Sequence, residues 1–547
     1  MRTYGKLARA GECWVLEDVE PHVAIKLKAI FPSVPKASAG PFKLPANEAT
    51  SADVSWFLQR YPLQASAGDL AELERRRTAF VRVQDEMAAI LAPDYQPTLL
   101  AGLRPGQEIR AHQARAIEMV RRFGGVLVGD EMGLGKTYTG GGACLLPGAL
   151  PATVVCPTHL RGQWAQKLRE FTTLEPHVIS TTKPYPLPPC DVRVFSYTQL
   201  QGWADVLDML GTGLVIFDEA HELRHGTDTQ KGVAALRLAE ASAMRMVMTG
   251  TPVFNYGNEI WRIMQYCRPE VLGEYEDFAR EWCGSGREVQ DPEALGTYLR
   301  EQHAMIRKVS PGPKPNIIVQ TIDHEVEALE RVEHLAHALA IRASTGTFEE
   351  RGQAVRELDM MMRLNTGVAK AKAVAKYARI VAEAGEPLIL LGWHRDVYDI
   401  WLSELSDLNP VMYTGTETPA RKEEAKRRFL AGESDIFIMS LRSGAGLDGL
   451  QARAKVTIFG ELDWSPQMHA QCIGRLNREG QACWPEPVTA IFLVAVDGSD
   501  PPMMDVNGLK ASQAHGIVDP GEERIVTRDV SKLQSLVQRY LNRSEAA

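Results

Sequence analysis

Two short segments of the chain carry residues whose types and order suit the hydrolysis of a nucleoside triphosphate. The first, Asp130–Thr137, has the sequence DEMGLGKT and follows a short apolar run. Gly133 and Gly135 let backbone amides turn towards phosphate oxygens, and a helix that starts after them adds a favourable partial charge. Lys136 has the reach to bind the β- and γ-phosphates, and the Thr137 hydroxyl is suited to bind magnesium. A glycine-rich surface turn is the alternative for this segment taken alone.

The second segment, Asp218–His221, follows Gly213–Phe217, an apolar run typical of a buried parallel strand. In α/β proteins, carboxylates at the carboxyl end of such a strand lie where ligands bind. We expect Asp218 to hold a magnesium ion and Glu219 to orient and deprotonate the attacking water. A solvated acidic loop is the alternative, but the phosphate-loop pattern upstream favours a site that hydrolyses a nucleoside triphosphate with magnesium.

To form one site, both segments must lie at the same edge of a sheet. The chain contains strand-like apolar runs in two groups. In the first half the runs lie at 126–128, 153–156, 192–197, 214–217 and 244–248. In the second half they lie at 388–392, 411–413, 436–440, 456–459 and 488–496. Helical stretches separate the runs, which predicts parallel sheets with right-handed crossovers. The predicted fold class is α/β, with two parallel-sheet lobes, a helical insertion between them and a small N-terminal domain.

We expect the following regions: an N-terminal accessory domain at 1–100, a first, ATP-binding lobe at 101–268, a helical protrusion or linker at 269–365, a second lobe at 366–515 and a C-terminal brace helix at 516–547. The proline-rich residues 310–315 interrupt the third region because proline removes a backbone donor. In the first region, basic and aromatic residues at 21–28 and 56–58 could hold a DNA structure by stacking and phosphate contact. A helical cap packed on the first lobe is the alternative for that region.

Composition and charge set limits on the class of protein. The chain has 547 residues, enough for two or more domains, and its net charge of −8 does not by itself suggest nucleic-acid binding. A protein that tracks along a nucleic acid needs only a local basic path. Basic clusters occur at 75–77, 421–422 and 426–428, where a solvated helix face is the alternative to phosphate contact. The 8 cysteines form no Cys-x-x-Cys pair and no apolar run is long enough for a membrane span, so we expect a soluble intracellular protein without a zinc site.

Further motifs occur in a fixed order around these segments. In the first half they are Gln113 in IRAHQ, Val154–Leu160 with the sequence VVCPTHL and Trp164 shortly after it, and Thr249–Pro252 with the sequence TGTP and Asn255 and Glu259 behind it. In the second half they are TGVAK at 366–370, YTG at 413–415, SLRSG at 440–444 and QCIGRLNREGQ at 471–481. This ordered set, from about residue 105 to residue 515, resembles the motifs of SWI/SNF-type DNA translocases of helicase superfamily two.

The resemblance implies RecA-like lobes and a role for each matching residue. Gln113 resembles a residue that reads adenine, and Arg475 and Arg478 resemble arginine fingers that reach across the cleft to the γ-phosphate. The implied catalytic residues are Lys136, Glu219, Arg475 and Arg478, and the implied nucleotide-binding residues are Gln113, Met132, Gly133, Leu134, Gly135, Lys136, Thr137 and Asp218, with Thr137 and Asp218 as the magnesium ligands. The implied DNA-contact residues are Pro157, Thr158, Thr249, Thr251, Thr414, Gly415, Ser440, Arg442 and Gly444.

The second lobe departs from the family pattern at several positions. Asn477 stands where the family usually has histidine, Ser465 stands where it usually has asparagine, and Gly444–Leu450 lacks the usual glycine pattern. The family implies an ATP-dependent translocase that moves along duplex or forked DNA without reading its sequence, and the N-terminal region resembles the annealing-helicase (HARP-type) branch. A strand-separating DNA or RNA helicase, an RNA-stimulated ATPase and a non-enzymatic scaffold with a decayed site are the alternatives.

Overall fold

The structure of the protein is a computed structural model that describes residues 2–31, 33–97, 100–253, 257–284, 286, 288–310, 312–441, 447, 449–478, 480–505, 507 and 517. A small N-terminal domain is followed by two α/β lobes. The expected DNA-contact residues Arg442 and Gly444 lie outside the described residues, as does Asn255. The expected brace helix at 516–547 also lies outside them, except for Ile517, which is buried among side chains of the first lobe.

The N-terminal domain combines a three-stranded antiparallel sheet with helices. Its elements are β1 (Lys6–Ala10), β2 (Cys13–Glu17), α1 (Pro21–Ile30), β3 (Phe42–Pro45), α2 (Glu48–Arg60) and α3 (Ala67–Leu91). Trp14 in β2 is buried, and its indole N–H donates to the Ser51 hydroxyl of α2 at 2.8 Å. The helix α3 extends beyond this domain, because Val83 and Met87 are buried in the core of the first lobe. The region is therefore not entirely helical, but α3 packs on the first lobe as the helical-cap alternative expected.

The first lobe is built around a parallel sheet. Its elements are α4 (Ala111–Phe123), β4 (Gly125–Val128), α5 (Lys136–Ala143), β5 (Ala152–Cys156), α6 (Arg161–Phe171), β6 (Pro176–Val178), β7 (Val192–Ser196), α7 (Tyr197–Gly202), β8 (Leu214–Asp218), α8 (Gln230–Glu240), β9 (Met244–Met248), α9 (Glu259–Gln265), α10 (Pro269–Leu272), α11 (Tyr275–Phe278), α12 (Pro292–Glu301) and β10 (Met305–Ile306). Within the described residues, the sheet has seven strands in the order β10-β4-β9-β8-β5-β7-β6. The predicted runs form its five inner strands, which are largely apolar because most of their residues are buried on both faces. The short edge strands β6 and β10 were not predicted, because β6 contains Pro176 and His177 and β10 has only two residues.

The second lobe repeats this arrangement. Its elements are β11 (Asn316–Thr321), α13 (Val326–Thr345), α14 (Phe348–Glu383), β12 (Leu388–Gly392), α15 (Arg395–Glu404), β13 (Val411–Tyr413), α16 (Pro419–Leu430), β14 (Ile436–Ser440), β15 (Val456–Phe459), α17 (Pro466–Ile473) and β16 (Thr489–Val494). Over the described ranges, the sheet has six parallel strands in the order β11-β16-β15-β12-β14-β13. The predicted α/β class with two parallel-sheet lobes is confirmed. None of the helices in the described part of the chain combines the length and the apolar character needed to cross a bilayer.

The segment 269–365 differs from the expected helical linker. The strand β10 pairs with β4 in the first lobe, and β11 pairs with β16 in the second, so residues 307–315 connect the two sheets. Phe278 and Leu295 are buried in the core of the first lobe, which therefore includes α11 and α12. The helix α14 continues to Glu383, through the expected boundary at 366. Edge strands form where the backbone groups of a sheet are open for pairing, and this cannot be read from a helix-rich pattern.

Candidate active site

The predicted phosphate loop connects β4 to α5. Gly133 and Gly135 have positive φ angles of 88° and 80°, which only glycine adopts without strain. Lys136 is the first residue of α5, and its ammonium group donates to the backbone carbonyl oxygens of Asp130 at 2.6 Å and Glu131 at 3.1 Å. Burial lowers the pKa of Lys136. The loop thus holds its lysine in place at the start of a helix, a position that favours anions.

Gln113, the expected adenine reader, lies in α4 against the same loop. It is buried, and its side-chain amide N–H donates to the carbonyl oxygen of Gly135 at 3.3 Å. Its amide oxygen accepts from the backbone N–H of Arg110 at 2.9 Å. The neighbouring His112 ring lies 3.1 Å from the carbonyl oxygen of Leu134. The start of α4 therefore braces the phosphate loop through side chains.

The helix α5 explains why glycines follow the lysine. A Cβ atom at Gly140 would lie 2.7 Å from Cη2 of Trp164, and one at Gly142 would lie 2.7 Å from Cδ1 of Ile117. These distances are shorter than side chains tolerate, so the glycines allow α6 and α4 to pack directly against α5. The phosphate loop is thereby anchored from both sides by the core of the first lobe.

The acidic pair lies at the end of β8, and Asp218 is fixed by hydrogen bonds. Its Oδ2 accepts from the indole N–H of Trp164 at 2.7 Å, and its Oδ1 accepts from the backbone N–H of Glu219 at 3.0 Å. Trp164 is 1% exposed, so this residue near the expected DNA-contact motif is a buried support for Asp218. Burial, followed by the charge of Glu219, raises the pKa of Asp218 to about 6.

Glu219 has a different electrostatic environment from its neighbour. Burial opposes its ionisation, but the His221 side chain, together with Lys136 and Arg475, outweighs that effect and lowers its pKa to about 2. His221 Nδ1 lies 3.4 Å from the Glu219 carboxylate. The backbone of Glu219 is left-handed, with a φ angle of 51°, and such strain in a residue other than glycine is found mainly at functional sites. Glu219 is therefore held as a carboxylate, the form that accepts a proton from water.

The second lobe contributes the two predicted arginines to the same space. Arg475 is buried, and its guanidinium donates to the carbonyl oxygen of Leu447 at 3.4 Å, while Arg478 donates from Nε to the carbonyl oxygen of Gly474 at 2.9 Å. A cleft of about 380 Å³ is lined by residues of both lobes, namely Met132, Gly133, Gly135, Lys136, Thr137, Tyr138, Leu160, Gln163, Lys167, Asp218, Glu219, Gln451, Arg475 and Arg478. The chain thus brings the phosphate loop, the acidic pair and both arginines to one cleft.

The lobes also touch at the phosphate loop. A Cβ atom at Gly133 would lie 2.8 Å from Cβ of Arg478, and one at Gly474 would lie 2.7 Å from Cε of Met132. The side-chain amide of Gln467 donates to the carbonyl oxygen of Val253 at 3.2 Å, from the second lobe to the first. Small residues at these contacts allow the arginine-bearing turn to approach the loop.

Magnesium fits the oxygen groups of this cleft. The Thr137 hydroxyl and the Asp218 carboxylate both line it, and hard oxygen donors of this kind are what magnesium prefers. The described residues contain no group of three or more His, Cys, Asp or Glu side chains that could hold a metal by themselves. Thr137 and Asp218 would therefore hold the ion together with substrate phosphates, and the bound ion would neutralise charge on the phosphate oxygens.

The candidate DNA-contact residues divide by exposure. Pro157 and Thr158 follow β5 and are accessible, as is Gly415 after β13, while Ser440 at the end of β14 is half-buried. Thr249, Thr251 and Thr414 are buried, the first two with their hydroxyls 3.4 Å apart and the third with its hydroxyl 2.8 Å from the Glu417 carboxylate. Buried hydroxyls do not reach a phosphate in this arrangement. The three buried threonines therefore belong to the protein core and do not form part of an exposed surface for DNA.

Comparison with known proteins finds a family match for one part of the chain. Residues 52–309, slightly less than half of the chain, match the family model of the SNF2-related domain. The matched region contains the phosphate loop and the acidic pair, whereas Arg475 and Arg478 lie beyond it. The resemblance to the SWI/SNF-type family that the motifs predicted is confirmed.

Relatives of the chain match more than two thirds of its length. It is 23% identical over 398 residues to SWI/SNF-related matrix-associated actin-dependent regulator of chromatin subfamily A-like protein 1 of Drosophila melanogaster, covering 70% of this chain and 52% of the relative. It is 22% identical over 443 residues to DNA annealing helicase and endonuclease ZRANB3 of Bos taurus, covering 76% of this chain and 41% of that relative. The chain thus spans about half the length of the curated relatives it matches. A Sulfolobus solfataricus SWI2/SNF2 ATPase core solved in complex with dsDNA is similar at a TM-score of 0.37 and 17% identity, with 78% of this chain and 96% of that chain covered.

Proposed function

We propose that the protein is an ATP-dependent DNA translocase of the SWI/SNF type, which hydrolyses ATP between its lobes and moves along duplex or forked DNA. The observation that carries the proposal is the common cleft, where Lys136, Glu219, Arg475 and Arg478 come from opposite lobes to one space. The SNF2-related domain, and a relative named as a DNA annealing helicase, support the same class of activity.

The chemistry divides between the lobes. The first lobe supplies Lys136 for the β- and γ-phosphates, while Glu219 orients the attacking water and accepts its proton. The second lobe supplies Arg475 and Arg478, whose charges stabilise the negative charge that develops at the γ-phosphate in the transition state. Because hydrolysis needs groups from both lobes, it depends on closure of the cleft, which couples the chemistry to a movement of one lobe relative to the other.

Movement along DNA requires that each lobe hold the sugar–phosphate backbone. Accessible residues after parallel strands, such as Pro157, Thr158 and Gly415, are positioned on loops suited to this contact. Contacts to phosphates carry no sequence information, so we propose sequence-independent and salt-sensitive binding. Alternating closure and opening of the cleft then moves the two lobes relative to each other along the strand.

The first test is steady-state ATP hydrolysis by wild type and Glu219→Gln with no nucleic acid, single-stranded DNA, duplex DNA, forked DNA and RNA. The substitution keeps the size of the side chain, but its amide cannot accept the proton from water. Stimulation by duplex or forked DNA that is lost in the variant supports the translocase. Stimulation by RNA alone would identify an RNA-stimulated ATPase, and equal rates with and without DNA would refute DNA as the track.

The N-terminal domain is proposed to recognise the DNA structure. Trp56 in α2 is 57% exposed. Ile25 in α1 is 67% exposed, and the basic residues Lys26 and Lys28 follow it in the sequence. An exposed indole can stack on an unpaired base, a contact worth about 1–3 kcal/mol, and the lysines can contact phosphates. Junctions and forks are the DNA structures that offer unpaired bases.

A point variant tests this role better than removal of residues 1–100, because Val83 and Met87 complete the core of the first lobe. We expect Trp56→Ala to weaken forked-DNA binding by about 30-fold, which corresponds to the middle of the range for one stacked base, and to leave duplex binding unchanged. Met209→Ala is the control, since Met209 is also apolar and is 76% exposed on the first lobe. Equal loss on forked and duplex DNA in a binding titration would count against a structure-reading role.

A further inference from the structure

The short connection between the two sheets is held by the head of the phosphate loop. Residues 307–315 run from β10 to β11, and among those the structure describes, Pro313 and Pro315 restrict the backbone. The backbone N–H of Lys308 donates to Oδ1 of Asp130 at 2.7 Å, and that of Ser310 donates to Oε2 of Glu131 at 2.8 Å. The backbone N–H of Glu131 in turn donates to the carbonyl oxygen of Lys308 at 3.0 Å. We call residues 307–315 the interlobe linker.

A side-chain ion pair adds to this attachment. Arg307 donates to the carbonyl oxygen of Gly129 at 2.5 Å and lies 3.6 Å from the Glu131 carboxylate. Asp130 is 2% exposed, so its hydrogen bond to the linker is shielded from water. Loss of either partner would leave a buried polar group without a hydrogen bond. The first half of the interlobe linker is therefore fixed to the phosphate loop by backbone and side-chain contacts.

The other end of the interlobe linker is fixed to the second lobe. The backbone N–H of Asn316 donates to the carbonyl oxygen of Val488 at 2.8 Å, and β11 then pairs with β16 along its whole length. A Cβ atom at Gly312 would lie 2.9 Å from Cζ3 of Trp484, so the linker passes directly against this indole. Trp484 follows the turn that carries Arg478. The linker thus joins the phosphate loop to the neighbourhood of the arginines.

Lys136 connects this attachment to the nucleotide. Its ammonium group donates to the backbone carbonyls of Asp130 and Glu131, the same two residues whose side chains hold the linker. A bound nucleotide offers phosphate oxygens, which compete for the ammonium group more strongly than neutral carbonyls do because the hydrogen bond is then between two charges. We therefore expect nucleotide binding to remove the two Lys136 contacts from the backbone of Asp130 and Glu131.

We infer that Asp130 and Glu131 are positioning residues that couple the nucleotide to the lobes: their carboxylates hold the interlobe linker, and the shift of Lys136 onto the phosphates repositions that linker and the second lobe with it. The inference rests on the proposed function, because it assumes an ATP site whose activity depends on DNA. It assigns the two acidic residues at the head of the loop a role apart from contact with the phosphates.

Alanine and amide variants test this coupling. We expect Asp130→Ala and Glu131→Ala to lower the DNA-stimulated kcat by about tenfold, within the usual range of coupling between sites, while the affinity for an ATP analogue changes by less than about threefold. Asp130→Asn and Glu131→Gln keep a carbonyl oxygen that accepts the linker N–H, so they should retain stimulation within about twofold. Thermal unfolding of each variant separates this effect from loss of the fold.

An insertion in the linker gives an independent test. Two glycines placed between Pro313 and Lys314 should reproduce the loss of stimulation, and combining them with Asp130→Ala should lower the rate no further, because both changes break one connection. The matched control is the same insertion after Gly385, which lies in an open turn with no atom near its Cβ position. Effects of the insertion and of Asp130→Ala that multiply would overturn the inference.

The outcomes separate this inference from the proposed function. A wild-type protein without DNA stimulation would refute the proposed function before any variant is compared. A stimulated wild type whose stimulation persists in both alanine variants would refute the coupling role of Asp130 and Glu131 alone. Loss of stimulation in the amide variants as large as in the alanine variants would also refute it, because the hydrogen bonds to the linker would then not be the cause.

Discussion

Replacing Trp164 with phenylalanine removes the indole N–H that holds Asp218 while keeping an aromatic ring in the core. The bond to Oδ2 of Asp218 measures 2.7 Å, and Trp164 is buried beneath the cleft. Without it, the carboxylate keeps only the backbone N–H of Glu219 as its hydrogen-bond donor among those described. The expected result of Trp164→Phe is a poorly oriented Asp218, and therefore slower hydrolysis of ATP.

The size of the effect follows from the charge of the acceptor. A hydrogen bond to a charged group contributes about 1.5–3 kcal/mol. Since about 1.36 kcal/mol corresponds to tenfold in rate, kcat/KM for ATP should fall by about ten- to 150-fold if the bond is needed in the transition state. Stability should fall as well, by about 1–3 kcal/mol, because phenylalanine leaves space beside Gly140 that the indole fills.

The same substitution at Trp203 is the matched control. Trp203 is also buried in the first lobe, and its indole N–H donates at 3.2 Å to the carbonyl oxygen of Thr181, away from the acidic pair. Urea unfolding should report a similar loss of stability for Trp164→Phe and Trp203→Phe, whereas steady-state ATPase assays should report a large loss only for Trp164→Phe. Equal losses of kcat/KM in the two variants, or none in Trp164→Phe, would refute the assigned role of this indole.

Two predictions concern the second lobe. Lys370 and Asp500 form an ion pair of 2.6 Å at 1% and 3% side-chain exposure, so Lys370→Ala or Asp500→Ala should cost about 3–5 kcal/mol in urea unfolding, and the double variant should cost less than the sum of the two. Burial lowers the pKa of His469 from 6.5 to about 4, so the unfolded chain takes up a proton that the folded protein resists. Stability is therefore retained above pH 6.5 and lost as the pH falls towards 4, by about 2 kcal/mol at pH 5. The fall should be smaller in His469→Gln, and an equal fall in both proteins would contradict this assignment.

The inner strands of both sheets could be predicted from the sequence because most of their residues are buried on both faces and therefore read as largely apolar runs. The edge strand β13 was also predicted, as the run 411–413, but the edge strands β6, β10 and β11 were not. β11 exposes Ile317 and Val319 at the edge of its sheet, so its residues carry no inward-facing pattern, and β10 has only two residues. Their pairing is decided by which sheet edge is available, a property of the folded lobes and not of the local sequence.

The placement of residues in the cleft was predictable where they lie within one motif, as in Asp130–Thr137. The support of Asp218 by Trp164 was not, because the two residues lie 54 positions apart and the motif gives no sign of burial. A tryptophan in a helix directly after an inner strand was the available signal, since a buried indole N–H needs an acceptor. The attachment of the interlobe linker left no such signal, because its donors are backbone N–H groups, which every residue except proline possesses.

Local ion pairing explains why the basic clusters of the sequence do not by themselves define a DNA path. Arg75 and Arg76 both contact Glu72, at 2.7 Å and 2.6 Å, within one helix. Arg427 contacts Glu424 at 2.7 Å in the same way. Exposed ion pairs of this kind are worth only about 0–1 kcal/mol and do not prevent contact with a phosphate, but they account for these arginines without DNA. The helix-face alternative is therefore the better explanation of these arginines. The proposed binding of DNA depends instead on the loops that follow the parallel strands. Contact of these loops with the sugar–phosphate backbone does not read sequence.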